Sequence, residues 1–542
     1  MQKFTLSDAT GRWTLVSTIL ASSMAFIASG ALNVALDALQ RDLGATGTEL
    51  LWIVNGYLVF LAALILVGGS LGDHFGRKRI FGGGIILFTT ASAACGVSPS
   101  IETLVLGRMV QGVGAALMVP GSLALISALF ADQVRGKAIG IWSSVSTITT
   151  IGGPIIGGFL VDELSWRYVF FINVPVALVA LFALWRVPEN RDEMASPKLD
   201  YLGAALITIG LGSLTYGFVT LGDKIGTEGA NLLPSLVASV VGILALIAFV
   251  WVEAHSEAPM VDLTLFKSRT FSGANLMTSL LYAGLSVTLL FYPLNLIQVQ
   301  GYSASTAGLS VIPFSIMITL LSPWAGNLVD RYGPRMPLTV GPFIVAAGFG
   351  LFMLPDVTGG PGDFWTSFLP GITVTGIGMG VTIAPLTSTV MGAVSSERSG
   401  IASGINNAVT RSSQVLSTAI LGAVALGVFT SALTSRTDDI TMSSMARDEL
   451  AESAHELGNA TPPEALEADR TDAVQLAIDL AFVDMFRVIN LISAALAILS
   501  GILAYVLLSP EAEEPSSEAG GEWYHTADCY KRSVTGGLAS SD

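Results

Sequence analysis

Apolar runs of roughly 18 to 25 residues recur from one end of this chain to the other, each long enough to cross a hydrocarbon core of about 30 Å as a helix. A chain patterned this way has few ways to fold. Lipid offers no partner for backbone N–H and C=O groups, so each must be satisfied within its own segment. Composition agrees: of 542 residues, 52% are hydrophobic and 12% charged, against about one quarter charged in soluble domains. The 58 glycines then read as positions of close helix approach in lipid. The expected class is an all-α integral membrane protein.

About fourteen spans are predicted, at roughly 13–36, 50–71, 79–98, 102–128, 137–161, 168–187, 200–221, 232–253, 271–298, 306–329, 337–355, 364–391, 400–431 and 484–508. With the short polar segment 1–12 in the cytoplasm, the inner segments hold about 17 of the 26 Lys and Arg and the outer ones about 6. That asymmetry predicts a multi-pass protein of the inner (plasma) membrane with both termini cytoplasmic. The first run is too long for the apolar core of a cleaved signal and is expected to remain as span one. Cys95 and Cys529 fall at different depths, so no disulfide is expected. Most of the net charge of −15 lies in two peripheral segments and excludes a nucleic-acid partner. These are an outer loop at 432–482, with helical patterning around 445–457 and 463–480, and a Ser-, Gly- and Glu-rich tail at 509–542, which its composition predicts to be disordered. The outer loop has two readings, a solvated acidic hairpin or a lid over the outer mouth.

Between spans two and three lies Gly69-Ser70-Leu71-Gly72-Asp73-His74-Phe75-Gly76-Arg77-Lys78-Arg79, a glycine-hinged turn carrying an acid and three consecutive cations. Charge concentrated where two apolar helices meet water implies a receiving partner, and the turn reads as a gate. The pattern recurs in Gly326-Asn327-Leu328-Val329-Asp330-Arg331-Tyr332-Gly333-Pro334-Arg335, again between two spans on the inner side. Six spans at 13–187, two inserted spans at 200–253 and six more at 271–508 form the simplest parse.

With these motifs in place, the chain resembles the major facilitator superfamily over nearly its whole length, specifically the fourteen-span drug:proton antiporter branch. The resemblance implies two six-helix bundles plus two extra central helices, rocking about a site near the bilayer midplane. It implies that Asp73, Arg77 and Lys78, with hinges Gly69, Gly72 and Gly76, tie the halves together on the cytoplasmic side when the site faces outward. A second gate copy would use Gly326, Asp330, Arg331, Gly333 and Arg335. Arg108 in Leu106-Gly107-Arg108-Met109-Val110-Gln111-Gly112 matches the span-four motif, which the branch assigns to proton coupling; the alternative is a structural Arg held by backbone carbonyls. In span five, Gly153, Pro154, Gly157 and Gly158 match a motif that implies export rather than import, although a plain small-residue packing face would look the same.

One departure bears on mechanism. Where the branch carries an acid in span one, the register Phe26-Ile27-Ala28-Ser29-Gly30-Ala31-Leu32-Asn33-Val34-Ala35-Leu36-Asp37 has Ala28. Asp37 remains as a proton-entry group or a water-exposed helix end. Arg411 adds a second deep cation, and no mid-span acid balances it or Arg108. A cavity lined by these arginines with Asn33, Trp52, Asn55, Tyr57, Phe291, Tyr292, Asn406 and Asn407 would disfavour cations and suit neutral or anionic amphiphiles.

The function expected is secondary active export of small amphiphilic compounds by alternating access, by a monomer, with protons as a possible second ligand. An uncoupled facilitator, an organic-anion exporter and a transport-inactive sensor are the alternatives. No G-x-x-x-x-G-K-[ST] phosphate loop is present, and the four histidines all fall in loops or the tail, so neither an ATP-driven pump nor an enzyme, metal or cofactor is expected.

Overall fold

The computed structural model describes residues 3–189, 200–224, 231–256, 259–394, 398–463 and 466–509. Among them the chain is helical throughout, apart from one isolated bridge between Phe4 and Phe130. The helices are α1 (Ala9–Leu43), α2 (Gly47–Phe75), α3 (Arg77–Gly96), α4 (Ile101–Leu129), α5 (Asp132–Glu163), α6 (Tyr168–Trp185), α7 (Tyr201–Lys224), α8 (Leu233–His255), α9 (Arg269–Val299), α10 (Ala304–Val329), α11 (Arg335–Leu351), α12 (Leu369–Gly392), α13 (Ser399–Thr437), α14 (Ser444–Ser453) and α15 (Ala468–Leu507). Thirteen are long and apolar enough to cross a membrane, and α11 is a shorter apolar helix. With α14 lying outside the bilayer, fourteen spans result, and both ends of the described chain emerge on one face, here the terminus face.

Two helical bundles follow from the packing. In the first, α1 packs on α5 and α6, and α4 on α2 and α3; in the second, α12 packs on α10 and α11, and α15 on α9, α11 and α13. Glycine permits the tightest of these approaches. A Cβ on Gly112 or Gly68 would overlap the backbone of the facing helix, so α2 and α4 meet main chain to main chain. The inserted α7–α8 hairpin is joined by the same means, and α7 alone docks it, against α2 and α13. It therefore covers the seam where the two bundles touch.

The seam itself is made by α2 with α13 and by the start of α10 with α5, with smaller contacts of α1 on α9. The last of the α5 motif lies at the face opposite the termini, whereas between Gln133 and Thr150 only Ala138 and Ser146 are buried among the described side chains of α5. The bundles converge at the opposite face and part at the terminus face. α13 runs to Thr437 and α15 begins at Ala468, so both helices extend into the loop read at 432–482, and most of the patterning at 463–480 is the front of α15. The tail from 510 lies outside the described residues.

Candidate functional site

At the terminus face, α2 stops at Phe75 because Gly76 takes φ 107°, a left-handed value that side chains resist. Gly69 and Gly72 make no comparably tight approach. The Asp73 carboxylate accepts from Arg77 Nε at 2.7 Å, one turn away. Lys78 Nζ donates to the carbonyls of Trp185 (3.3 Å) and Val187 (2.5 Å) at the end of α6, while its backbone N–H donates to Glu189 at 3.0 Å. The second copy has the same architecture. Gly333, at φ 70°, ends the helix before it, and Arg335 Nε donates at 2.8 Å to the Leu508 carbonyl at the end of α15. Each copy thus sends a cation to the carbonyl-rich end of the sixth span of its own bundle, where the helix dipole favours it. Arg331 lies over Tyr332. The side chain of Asp330 lies outside the described residues, and Gly326 makes no close approach.

The opposite face is sealed by residues far apart in sequence. Asp162, at the end of α5, accepts from the backbone N–H groups of Ala304 (3.2 Å) and Ser305 (2.8 Å) at the start of α10. The span-five motif lies beneath this latch and has two sides. Gly153 and Gly157 abut α1 at Ile27, Gly30 and Ala31, within one bundle; a Cβ on Gly158 would strike the Ala304 carbonyl, and one on Gly308 the Pro154 carbonyl, across the seam. Above the seam, the turn Ala454–Asn459 after α14 is wedged between the bundles. Asn459 Nδ2 donates to Asp37 (3.0 Å) and Gln40 (3.1 Å), Gln40 Nε2 to the Glu456 carbonyl (2.7 Å), and Gln298 Nε2 on α9 to Gln40 Oε1 (2.9 Å). Leu457 takes φ 58° to drive its side chain into the core beside Gly47.

Asp37 is accordingly not a water-exposed helix end. It is 5% exposed, paired with Arg41 at 2.9 Å and roofed by Asn459.

At mid-depth, Arg108 is 1% exposed. Its Nε donates to the Ile53 carbonyl (3.2 Å) and Nη1 to Gln111 (2.6 Å), while the guanidinium stacks 4.3 Å from the Tyr57 ring centroid. The charge of Arg411, on the other bundle, acts on both Tyr57 and Tyr282. Arg411 Nη1 bonds Gln414 at 3.1 Å. Among the described residues neither arginine pairs with a carboxylate. Asn55 accepts from Thr418 at 2.6 Å across the seam, and its Nδ2, like Gln111 Nε2, is a buried donor with no acceptor among the described residues. Ala28 lies in the same buried cluster as Tyr57.

Several cavity candidates are placed elsewhere. Trp52 turns outward onto Tyr216 of α7. Phe291 and Tyr292 are buried, Tyr292 against Phe352 and Phe368 of its own bundle. Asn406 donates to Asn275 and Thr278 of its own bundle; Asn407 is exposed and bonds back to Ser403; Asn33 is half-buried on α1. Asp162, Thr418, Gln40, Gln298 and Asn459 were missed by reading the sequence. Asp162 alone had a local signal, an acid one turn beyond the glycine motif.

Residues 18–418 match the family described as Major Facilitator Superfamily. The chain is 35% identical over 413 residues to the multidrug resistance protein Stp of Mycobacterium tuberculosis (strain CDC 1551 / Oshkosh), covering 76% of this chain and 75% of that one. It is 29% identical over 518 residues to the tetracenomycin C resistance and export protein of Streptomyces glaucescens, covering 93% of each. Among solved structures, a bacterial homolog of the human lysosomal transporter Spinster, in an inward-facing, unoccupied conformation, superposes with a TM-score of 0.63 at 16% identity, covering 93% of this chain and 99% of that one.

Proposed function

The chain belongs to the Major Facilitator Superfamily, among its drug and metabolite efflux transporters, and we propose that it exports small neutral or anionic amphiphiles without a proton-carrying acid in span one. Its termini face the cytoplasm of the cell whose inner membrane it crosses, so the open terminus face is the loading side. The observation that carries the substrate class is the mid-depth cluster. Arg108 stacks on Tyr57 and bonds Gln111, the charge of Arg411 on the other bundle acts on the same tyrosine, Asn55 and Gln111 keep spare buried donors, and no carboxylate pairs with either arginine among the described residues. A buried group rich in donors and positive charge binds acceptor-bearing solutes and rejects cations. The relatives named for multidrug resistance and for tetracenomycin C resistance and export support a drug-like substrate. Proton coupling through span one lacks its carrier, since Ala28 holds that place. A second reading follows from the same cluster: the substrate's own negative charge carries the coupling.

The test is transport in proteoliposomes with a pH-sensitive dye inside, using matched neutral, anionic and cationic amphiphiles. Neutral and anionic compounds should move at rates unchanged by collapsing the pH gradient. Ala28→Asp, which sets a carboxylate in the buried cluster that holds Tyr57, should admit cations and add proton movement. Equal cation transport by the unaltered protein would sink the substrate class. Proton exchange by the unaltered protein that matches the variant's would restore antiport.

A further inference from the structure

The inserted hairpin carries a second buried site, at its terminus-face end. Asp200 precedes α7 and caps it, Oδ1 accepting from the Gly203 N–H at 2.6 Å. Glu253, in the last turn of α8, is 3% exposed, and its Oε2 accepts from the Val261 N–H at 2.9 Å. The other two carboxyl oxygens, Asp200 Oδ2 and Glu253 Oε1, are buried and have no hydrogen-bond partner among the described residues. Both lie 2.7 Å from the point where a Cβ on Gly203 would sit, so they face each other across one small space left by the absent side chain.

Two carboxylate oxygens buried in one such space cannot both keep full charge, because among the described residues neither of these oxygens has a donor to replace water and each carboxylate repels the other. A proton on one oxygen solves both problems, since the resulting O–H donates to its neighbour. A metal cation fits poorly: hard cations collect about six or more oxygens, and no group of three or more ligating side chains exists among the described residues. Three described charged groups at this end are engaged elsewhere. Asp73 bonds Arg77, Arg398 pairs with Asp262 at 3.3 Å, and His255 Nδ1 bonds the Trp251 carbonyl. Asp200 is the charged side chain that faces Glu253.

We propose that Asp200 and Glu253 form a proton-binding carboxyl pair that clasps the entry and exit of the inserted hairpin. Asp200 ends the connection arriving from the first bundle, and Val261, held by Glu253, begins the one leading to the second. With the proton bound the two connections are stapled; without it two like charges meet and the base of the hairpin opens. Because α7 covers the α2–α13 seam, the clasp lets the pH on the terminus face bear on how the bundles are held together.

The test uses the reconstituted full-length protein and dicyclohexylcarbodiimide, which modifies protonated carboxyls in apolar surroundings, with adducts mapped by mass spectrometry. Glu253 should be modified at neutral pH, with labelling falling about tenfold per pH unit above the pair's midpoint. Asp200→Asn keeps the helix cap but offers Glu253 an amide donor, so it should ionise Glu253 and cut labelling at least tenfold, whereas Asp439→Asn on the opposite face should leave labelling unchanged. Labelling that ignores pH, or survives intact in Asp200→Asn, would mean a lone buried acid and overturn the pair. Loss of labelling on adding sodium at fixed pH would make it a cation site and overturn the proton assignment.

Discussion

Asp162 and Asp73 sit at opposite faces of the same bundle, each at the end of a long span, and differ in what receives them. Asp162 crosses the seam and takes two backbone N–H groups at the start of α10; Asp73 turns back one turn to Arg77. A carboxylate gains most where a helix N-terminus presents orphan donors, and Asp162 has one only because α5 and α10 have converged there. Where they converge at one face they part at the other, which is why the terminus-side length of α5 is nearly bare. The pair therefore reports conformation. In this state the Asp162 latch is shut, and we propose that Asp73 is the latch of the state in which the terminus face closes.

The largest break in that comparison should come from Gly158→Leu. Its side chain would enter the space of the Ala304 backbone, which cannot yield as a rotamer does. Forced overpacking costs about 1–3 kcal/mol, enough to shift a two-state equilibrium about 5- to 150-fold. Spin-label distances across the α5–α10 contact should lengthen and export should fall; unchanged distances would show that the contact does not hold the seal. A smaller effect is expected for Asp162→Ala, which removes the latch without blocking the approach. The carboxylate is exposed, so its bonds contribute about 1 kcal/mol, a shift of roughly fivefold in the same distances. Asp162→Asn keeps one acceptor and should recover part of it.

The comparison also explains what was legible in the sequence. Both gate copies, the fourteen spans and the deep arginine announce themselves locally, because charge or glycine at fixed spacing in an apolar chain has few uses. Even there the sequence pointed to a tie between the halves, whereas in this state Lys78 braces the end of α6 and Arg335 the end of α15, each within its own bundle. Contacts across the seam depend on two bundles meeting at a particular angle. Nothing around Asn459 marks it as the residue that would roof Asp37, and nothing around Thr418 marks it as the partner of Asn55. Part of the cavity list lies elsewhere for the same reason: Trp52 and Tyr292 are aromatics at plausible depth, but helix rotation turns one to α7 and the other into its own bundle. Ala28 was informative in the opposite sense, since a missing carboxylate is visible without any geometry.

The smallest effect on the present state is expected from Asp73→Asn. The bond lost is a partly exposed pair one turn apart, worth about 0.3–0.5 kcal/mol, so thermal unfolding of the resting protein should barely move and the α5–α10 distances should stay as they are. Export should fall nonetheless, because the terminus face must shut during each cycle and an amide is a weaker guest than a carboxylate at a helix N-terminus. That split between an unaltered resting state and a slowed cycle separates a latch from a brace. If Asp73→Asn instead lowers the unfolding temperature as far as Asp162→Ala does, Asp73 is already holding this state together, and the opposition between the two acids fails.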